Sequence, residues 1–224
     1  MPFRHPSRRP ALRRAAGRAV RLAAGLGLGL IPGLAPARAQ AVPETIVAWH
    51  CYRNGAATVL ATEKTDSVGS KLLVRKPTAD LKTDCAVEQR PSDRVLGVDD
   101  TTDEGSYTYI ALAKAFLILD NGTGPDRGLV IYAVPAGRKR LAVGYSVAGS
   151  CEPTSGCQSD DFRIDDTGLT FWRQIDEKPT PKNCRGYAGF MKTTGSAALE
   201  ERSVFRFASG TVEGSGTKRC TARQ

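Results

Sequence analysis

The sequence predicts an all-β fold, a single-domain antiparallel sandwich or barrel of about nine or ten short strands held by disulfides. Three observations carry that prediction. Short β-branched and aromatic runs recur between turn signals along residues 45–208. Only one short stretch reads as a plausible helix. Six cysteines (Cys51, Cys85, Cys151, Cys157, Cys184 and Cys220) all follow an N-terminal segment laid out like an export leader.

Residues 1–39 open with Arg4, Arg8, Arg9, Arg13, Arg14, Arg18 and Arg21, continue through the small apolar run Ala19–Ala35, and end at Ala37-Arg38-Ala39. A basic front, an apolar middle and a small-x-small finish form a secretory signal peptide. Cleavage is expected after Ala39, with Ala41 as the second choice. The apolar run is short and Gly-rich for a membrane span, which needs about 20 apolar residues. No membrane span is therefore expected after cleavage. Ser7-Arg8-Arg9-Pro10-Ala11-Leu12 resembles the twin-arginine export motif but lacks its usual aromatic. Secretory and twin-arginine routes both stay open.

The expected domains are thus a cleaved leader, 1–39, and one β domain, 40–224. The leader carries eight arginines and no acid, so its removal takes the net charge from +9 to +1. A nucleic-acid partner, which asks for a basic surface, is not expected.

The first strand is expected over Thr45–Arg53, followed by Asn54-Gly55 and a second run, Ala56–Thr62. Asn-Gly between two β-prone runs signals a hairpin. Alternation sets Val47, Trp49 and Cys51 on one face and Ile46, Ala48, His50 and Tyr52 on the other, the Trp-Cys face being the expected core side. Lys71–Arg75 is a short strand stopped before Pro77. Thr78–Asp93 is polar, carries Cys85, and reads as a loop tied back to the first hairpin. Arg94–Val98 is a further strand, and Asp99–Ser106 an acidic loop.

Tyr107–Leu119 reads as one strand or two, with a helical turn near Ile110–Ala115 as the alternative. Phe116–Leu119 and Leu129–Val134 are apolar runs around the polar break Asp120–Gly128, and a tight turn follows at Pro135-Ala136-Gly137. Ala142–Val147 is β-prone. Gly149–Gln158 is a turn bracketed by Cys151 and Cys157. Phe162–Ile164 and Leu169–Ile175 form a hairpin about Asp165–Gly168. Asp176–Gly186 is a Pro-broken loop, Tyr187–Thr193 a strand, and Ser196–Arg202 a short helix with Ser196 as N-cap. Val204–Ala208 is the last strand, before a Gly-rich turn region over Gly210–Thr217.

The stretch Asp120–Leu141 resembles one β-propeller blade, which makes blade-like sheets the alternative architecture. No second copy recurs at a blade-like period. Six cysteines allow 15 pairings. Proximity along the chain favours Cys51–Cys85, Cys151–Cys157 and Cys184–Cys220. Neither Cys-x-x-Cys nor a Cys–His cluster is present, so disulfides are expected rather than a metal.

Chemistry is sparse. His50 is the only histidine after the leader, and it falls mid-strand, an unusual place for a catalytic base. Gly-x-Ser-x-Gly is absent. No catalytic residue and no cofactor is assigned. Adjacent acids occur at Asp99-Asp100, Asp160-Asp161 and Asp165-Asp166, and solvated turns are their expected role. Asp120, Asn121 and Asp126 put oxygens close together on one turn, a partial calcium loop without the full ligand run. Trp172 and Tyr187 are the candidates for stacking on a sugar ring, with core packing as the default for Trp172.

These readings lead to an exported, periplasmic or secreted protein of a Gram-negative-like envelope. It is expected to bind a protein or glycan partner there rather than to catalyse. In size and compartment it is similar to periplasmic inhibitors of lysozymes. The enzyme alternative is an envelope-glycan hydrolase using Asp99/Asp100 with Asp160/Asp161, which requires the two pairs to converge across about 5–9 Å.

Overall fold

Alternating apolar residues with one buried face form strands that pair through their backbones. In this chain they build two antiparallel sheets. The computed structural model describes residues 48–65, 67–97, 105–122, 126–146 and 153–223. The smaller sheet contains β1 (Trp49–Arg53), β2 (Thr58–Glu63), β3 (Ser70–Arg75) and β4 (Arg94–Leu96), in that order. The larger contains β5 (Tyr107–Ala113), β6 (Phe116–Asn121), β7 (Arg127–Ala133), β8 (Arg138–Ser146), β9 (Arg163–Ile164), β10 (Gly168–Gln174), β11 (Ser196–Arg206) and β12 (Thr211–Arg223). Its order is β12-β11-β10-β8-β7-β6-β5, with β9 paired to β10. Twelve strands among the described residues thus stand where nine or ten were expected. The sandwich class holds, no barrel closes, and the blade alternative is overturned: the strands form two sheets, not a ring of four-stranded ones.

The run Tyr107–Leu119 splits into two strands at Lys114-Ala115. Lys114 takes a left-handed φ of 50° there, and its carbonyl accepts a 2.8 Å hydrogen bond from Asn54 Nδ2. Asn54 also turns the first hairpin: its Oδ1 accepts from the N–H groups of Ala56 and Ala57. The Asn54-Gly55 hairpin therefore forms, with a loop of Asn54–Ala57 closed by register Arg53↔Thr58.

Strands β6 and β7 are buried on both faces. On one, Leu117, Leu119, Val130 and Tyr132 pack against Val59, Ala61, Leu72, Val74 and Leu96 of the smaller sheet. On the other, Phe116, Ile118, Leu129 and Ile131 pack with Tyr145, Phe171 and Phe205. Phe116 in β6 and Phe205 in β11 are four strand steps apart, about 19 Å in a flat sheet. Their rings lie 5.0 Å apart, so the larger sheet curls over its own face. The curl is released where β8 and β10 pair only at Ser146–Trp172 and Tyr145–Arg173, and β9 takes the rest of that edge.

Both disulfides among the described residues pin an edge strand. Cys51 in β1 bonds Cys85, which caps α1 (Leu81–Asp84), with Cα atoms 5.6 Å apart. Cys220 in β12 bonds Cys184, shortly before α2 (Tyr187–Thr193), at 5.1 Å. Both pairings are as expected from the sequence. Cys157 is disulfide-bonded, while its expected partner, Cys151, lies outside the described residues. The loop Thr78–Asp93 does tie back to the first hairpin. Asp84 within it is fully buried and accepts from the Thr78 N–H and hydroxyl and from Arg53 Nε at 2.8 Å. Arg75 beneath it donates to the Asp84 and Ala86 carbonyls and to Asp93 Oδ2 at 2.6 Å.

Four expectations are corrected. Ser196–Arg202 is strand rather than helix, and Tyr187–Thr193 is helix rather than strand. The Gly-rich segment after Gly210 turns only at its start and then runs as the long edge strand β12. On β1 the core face is the Tyr52 side: Tyr52 packs on the shared core and stacks on Tyr109 at 3.6 Å, while Cys51 faces the α1 loop. The partner across from Tyr52 is Val59, a core residue, and that pairing sets the face.

Candidate functional site

The polar break Asp120–Gly128 becomes the β6–β7 hairpin, and the hairpin brings its charged ends together. Asp120 Oδ2 is 3.3 Å from Arg127 Nη1, and Asp120 Oδ1 accepts a 2.6 Å hydrogen bond from the Tyr145 hydroxyl. Asp120 is 2% exposed. Burial first, and the adjacent Asp120 charge second, push the Tyr145 hydroxyl well above its ordinary pKa. A neutral tyrosine that donates to a buried carboxylate is the result.

Across the same end of the sheet runs a chain of alternating charges. Asp126 accepts from Arg223 Nη1 at 3.1 Å. Arg223 Nη2 reaches Glu200 Oε1 at 2.6 Å, and Arg219 Nε reaches Glu200 Oε2 at 2.7 Å. Arg219 goes on to Asp161 Oδ2 at 3.0 Å and to Ser146 Oγ at 2.9 Å. Its guanidinium lies 4.1 Å above the Trp172 ring, and Trp172 Nε1 donates to Asp161 Oδ1 at 2.7 Å. Register places these groups: Glu200 faces Arg219 across β11–β12, and Trp172 faces Ser146 across β10–β8. Charge-assisted, forked contacts of this kind favour arginine over lysine.

The arrangement holds charges in place rather than leaving one poised to react. Glu200 is fully buried, with both oxygens taken by guanidinium groups. Both Asp161 oxygens accept from fixed donors. Arg223 Nε and Thr221 Oγ1 are buried without a hydrogen-bond partner among the described residues.

The sequence-level candidates fall in and around this network. Asp120 and Asp126, named for calcium, each hold an arginine, and Asn121 ends β6 beside them. Among the described residues no three His, Cys, Asp or Glu side chains converge for a metal ion. Trp172 is 9% exposed beneath Arg219, whereas Tyr187 opens α2, and the two share no ring contact. Asp161 belongs to the network and Asp160 is exposed. Asp99 and Asp100 lie outside the described residues. Sequence reasoning missed Glu200, Arg219 and Arg223. Their signal was the facing register of Ser196–Arg206 and Thr211–Arg223, hidden by the helical composition of SAALEER.

Two clefts lie apart from the network. One, of about 330 Å³, opens between the β2–β3 turn and Thr108. The other, of about 520 Å³, has Ala113, Ile164 and Phe207 on its floor and the 3.1 Å Lys114–Asp166 ion pair at its rim. No protein-family model, no curated protein and no solved structure matches this chain.

Proposed function

We propose that this is an exported, disulfide-stapled binding or accessory protein of a bacterial envelope, acting through its surface and not by turnover. The observation that supports it most is the commitment of Glu200 and Asp161: all four of their carboxylate oxygens already accept from a fixed donor. A general acid or base needs an oxygen within reach of substrate and free to exchange a proton. Two disulfides, and no helix among the described residues long and apolar enough to cross a membrane, fit an extracellular or secreted protein. The leader layout of residues 1–39 narrows that to the periplasm or medium.

The test is to express the full chain in a Gram-negative host, fractionate the cells, and read the intact mass of the purified protein. The expected mass begins at Gln40, lacks six thiol hydrogens, and comes from the periplasm or medium. A cytosolic protein with its leader attached and six free thiols would end the export reading. The purified protein is then incubated with peptidoglycan and soluble envelope glycans, with reducing ends counted. Release that disappears in Asp161→Asn would replace the binding reading by the hydrolase one.

A further inference from the structure

Four turns of the larger sheet lie at one end, opposite the charge network: Lys114-Ala115, 135–137, 165–167 and 207–210. Register places the first two there, through Phe116↔Ala133 and Ala133↔Arg138. The other two, joined by Gly168↔Arg206, are brought to them by the 3.1 Å Lys114–Asp166 ion pair and by the Phe207 ring, 5.8 Å from that of Phe116. The charge of this end is lopsided. Among the described residues, with Arg94, which lies against the 135–137 turn, it carries Lys114, Arg138, Lys139, Arg140, Arg163 and Arg206, against Asp165, Asp166 and Glu213. Those three acids are already paired, with Arg163, Lys114 and Arg206 respectively. The described residues of this end thus sum to +4, while the chain without its leader totals +1.

Two glycines build this surface. Gly137 is left-handed at φ 64°, and a Cβ there would stand 2.5 Å from Arg94 Cγ, so only glycine lets Arg94 lie against the turn. A Cβ at Gly210 would meet Phe116 at 3.3 Å and Arg140 at 3.4 Å, so Arg140 lies along the end of the core. Arg138 and Arg140 are exposed and meet no carboxylate among the described residues. Lys139 lies 5.6 Å over the Tyr132 ring. Pro135 and Ala136, also exposed, project apolar atoms at the tip between them.

We propose that this end docks on an anionic lipid surface, with Arg138 and Arg140 meeting headgroup phosphates and the Pro135-Ala136 tip entering the interface. Charge alone would suit a soluble acidic polymer. Charge ringing an exposed apolar tip suits a bilayer, where long basic side chains keep their heads at the phosphates. The proposal goes beyond the envelope reading above. Vesicle binding can fail while export and oxidised cysteines stand, and the reverse.

The probe is a set of vesicles, pure phosphatidylcholine against phosphatidylcholine with one-third phosphatidylglycerol, co-sedimented with the mature oxidised protein in low salt. Binding is expected to the anionic vesicles only, and to fall as salt rises. Each basic residue near such a surface contributes about 1 kcal/mol. Arg138→Gln with Arg140→Gln should therefore weaken binding about 30-fold, 1.4 kcal/mol being tenfold. Lys178→Gln with Lys182→Gln, exposed in the loop beyond β10 at the other end, removes the same charge and should change binding less than twofold. Far-ultraviolet spectra confirm that both variants fold. Equal losses in the two variants, binding to neutral vesicles, or binding to dextran sulfate with none to vesicles would each overturn the proposal.

Discussion

Glu200 is the residue on which most of the charge network depends. It is fully buried and takes one guanidinium on each oxygen. Removing one partner of a buried ion pair leaves the others unpaired in a low-dielectric site, at a cost of about 3–5 kcal/mol. Glu200→Gln is expected to lower the free energy of urea unfolding by about that amount. Glu213→Gln, whose Arg206 partner is exposed, should lower it by less than about 1 kcal/mol. Two other residues contribute to the response to pH. Burial raises the Asp84 carboxyl, but the Thr78 N–H and hydroxyl and Arg53 outweigh it, and its pKa is lowered. A carboxyl lowered by folding stabilises the fold above its unfolded pKa, near 4, and that stabilisation is lost as pH falls through the folded value. Burial, opposed in part by a hydrogen bond with the Leu112 backbone, raises Tyr109 to about 12. Its contribution is full below the unfolded value near 10 and disappears as pH rises from about 10 to 12. Urea midpoints across pH 2–12 should thus fall at both ends. Asp84→Asn is expected to make the acid limb less steep, and Tyr109→Phe the alkaline limb, which Tyr145 shares.

Each disulfide acts on an element as a whole. An edge strand leaves its outer backbone groups unpaired, and β1 and β12 are the edges that cysteine holds. The two bonds close loops of 34 and 36 residues, which corresponds to about 4 kcal/mol each through the unfolded chain. Cys51→Ala and Cys184→Ala should each lower unfolding free energy by about 2–5 kcal/mol. A loss of only a few tenths would mean the bond contributes nothing. Strand β4 depends instead on a glycine at its end. Gly97 has φ 79°, and a Cβ there would lie 2.3 Å from the Ser70 carbonyl oxygen. Gly97→Ala must move backbone as well as adopt a left-handed residue, so a loss of more than about 1 kcal/mol is expected, with faster amide exchange in β3 and β4. Strands with aromatic and β-branched alternation, such as TFWRQI and LVIYA, were legible in the sequence because propensity and pairing agree there. SAALEER and YAGFMKT were exchanged for a physical reason. Helix propensity is a weak local preference, and SAALEER is taken by a long hairpin with a neighbour on each side. YAGFMKT buries no residue and forms its two turns as the chain reverses after Cys184.

At the scale of the molecule, the sandwich class and both described cysteine pairs could be read from strand count and chain proximity. The curl of the larger sheet could not, since nothing local in sequence brings Phe116 to Phe205. The charge network was half legible. Asp120, Asp126, Asp161 and Trp172 drew notice singly, but their arginines lie 7–97 positions away in sequence and only the sheet order joins them.

The two-sided burial of β6 and β7 has a consequence for how the strands find their alignment. A strand with one oily face betrays a one-residue slip by turning that face to water. Here a slipped strand would still offer oil to both sides. The misalignment shows instead at the polar atoms kept inside: the Tyr107 and Tyr132 hydroxyls, 3.1 Å apart, and the Tyr145–Asp120 contact at 2.6 Å. These two contacts serve as index marks, kept only in the native alignment.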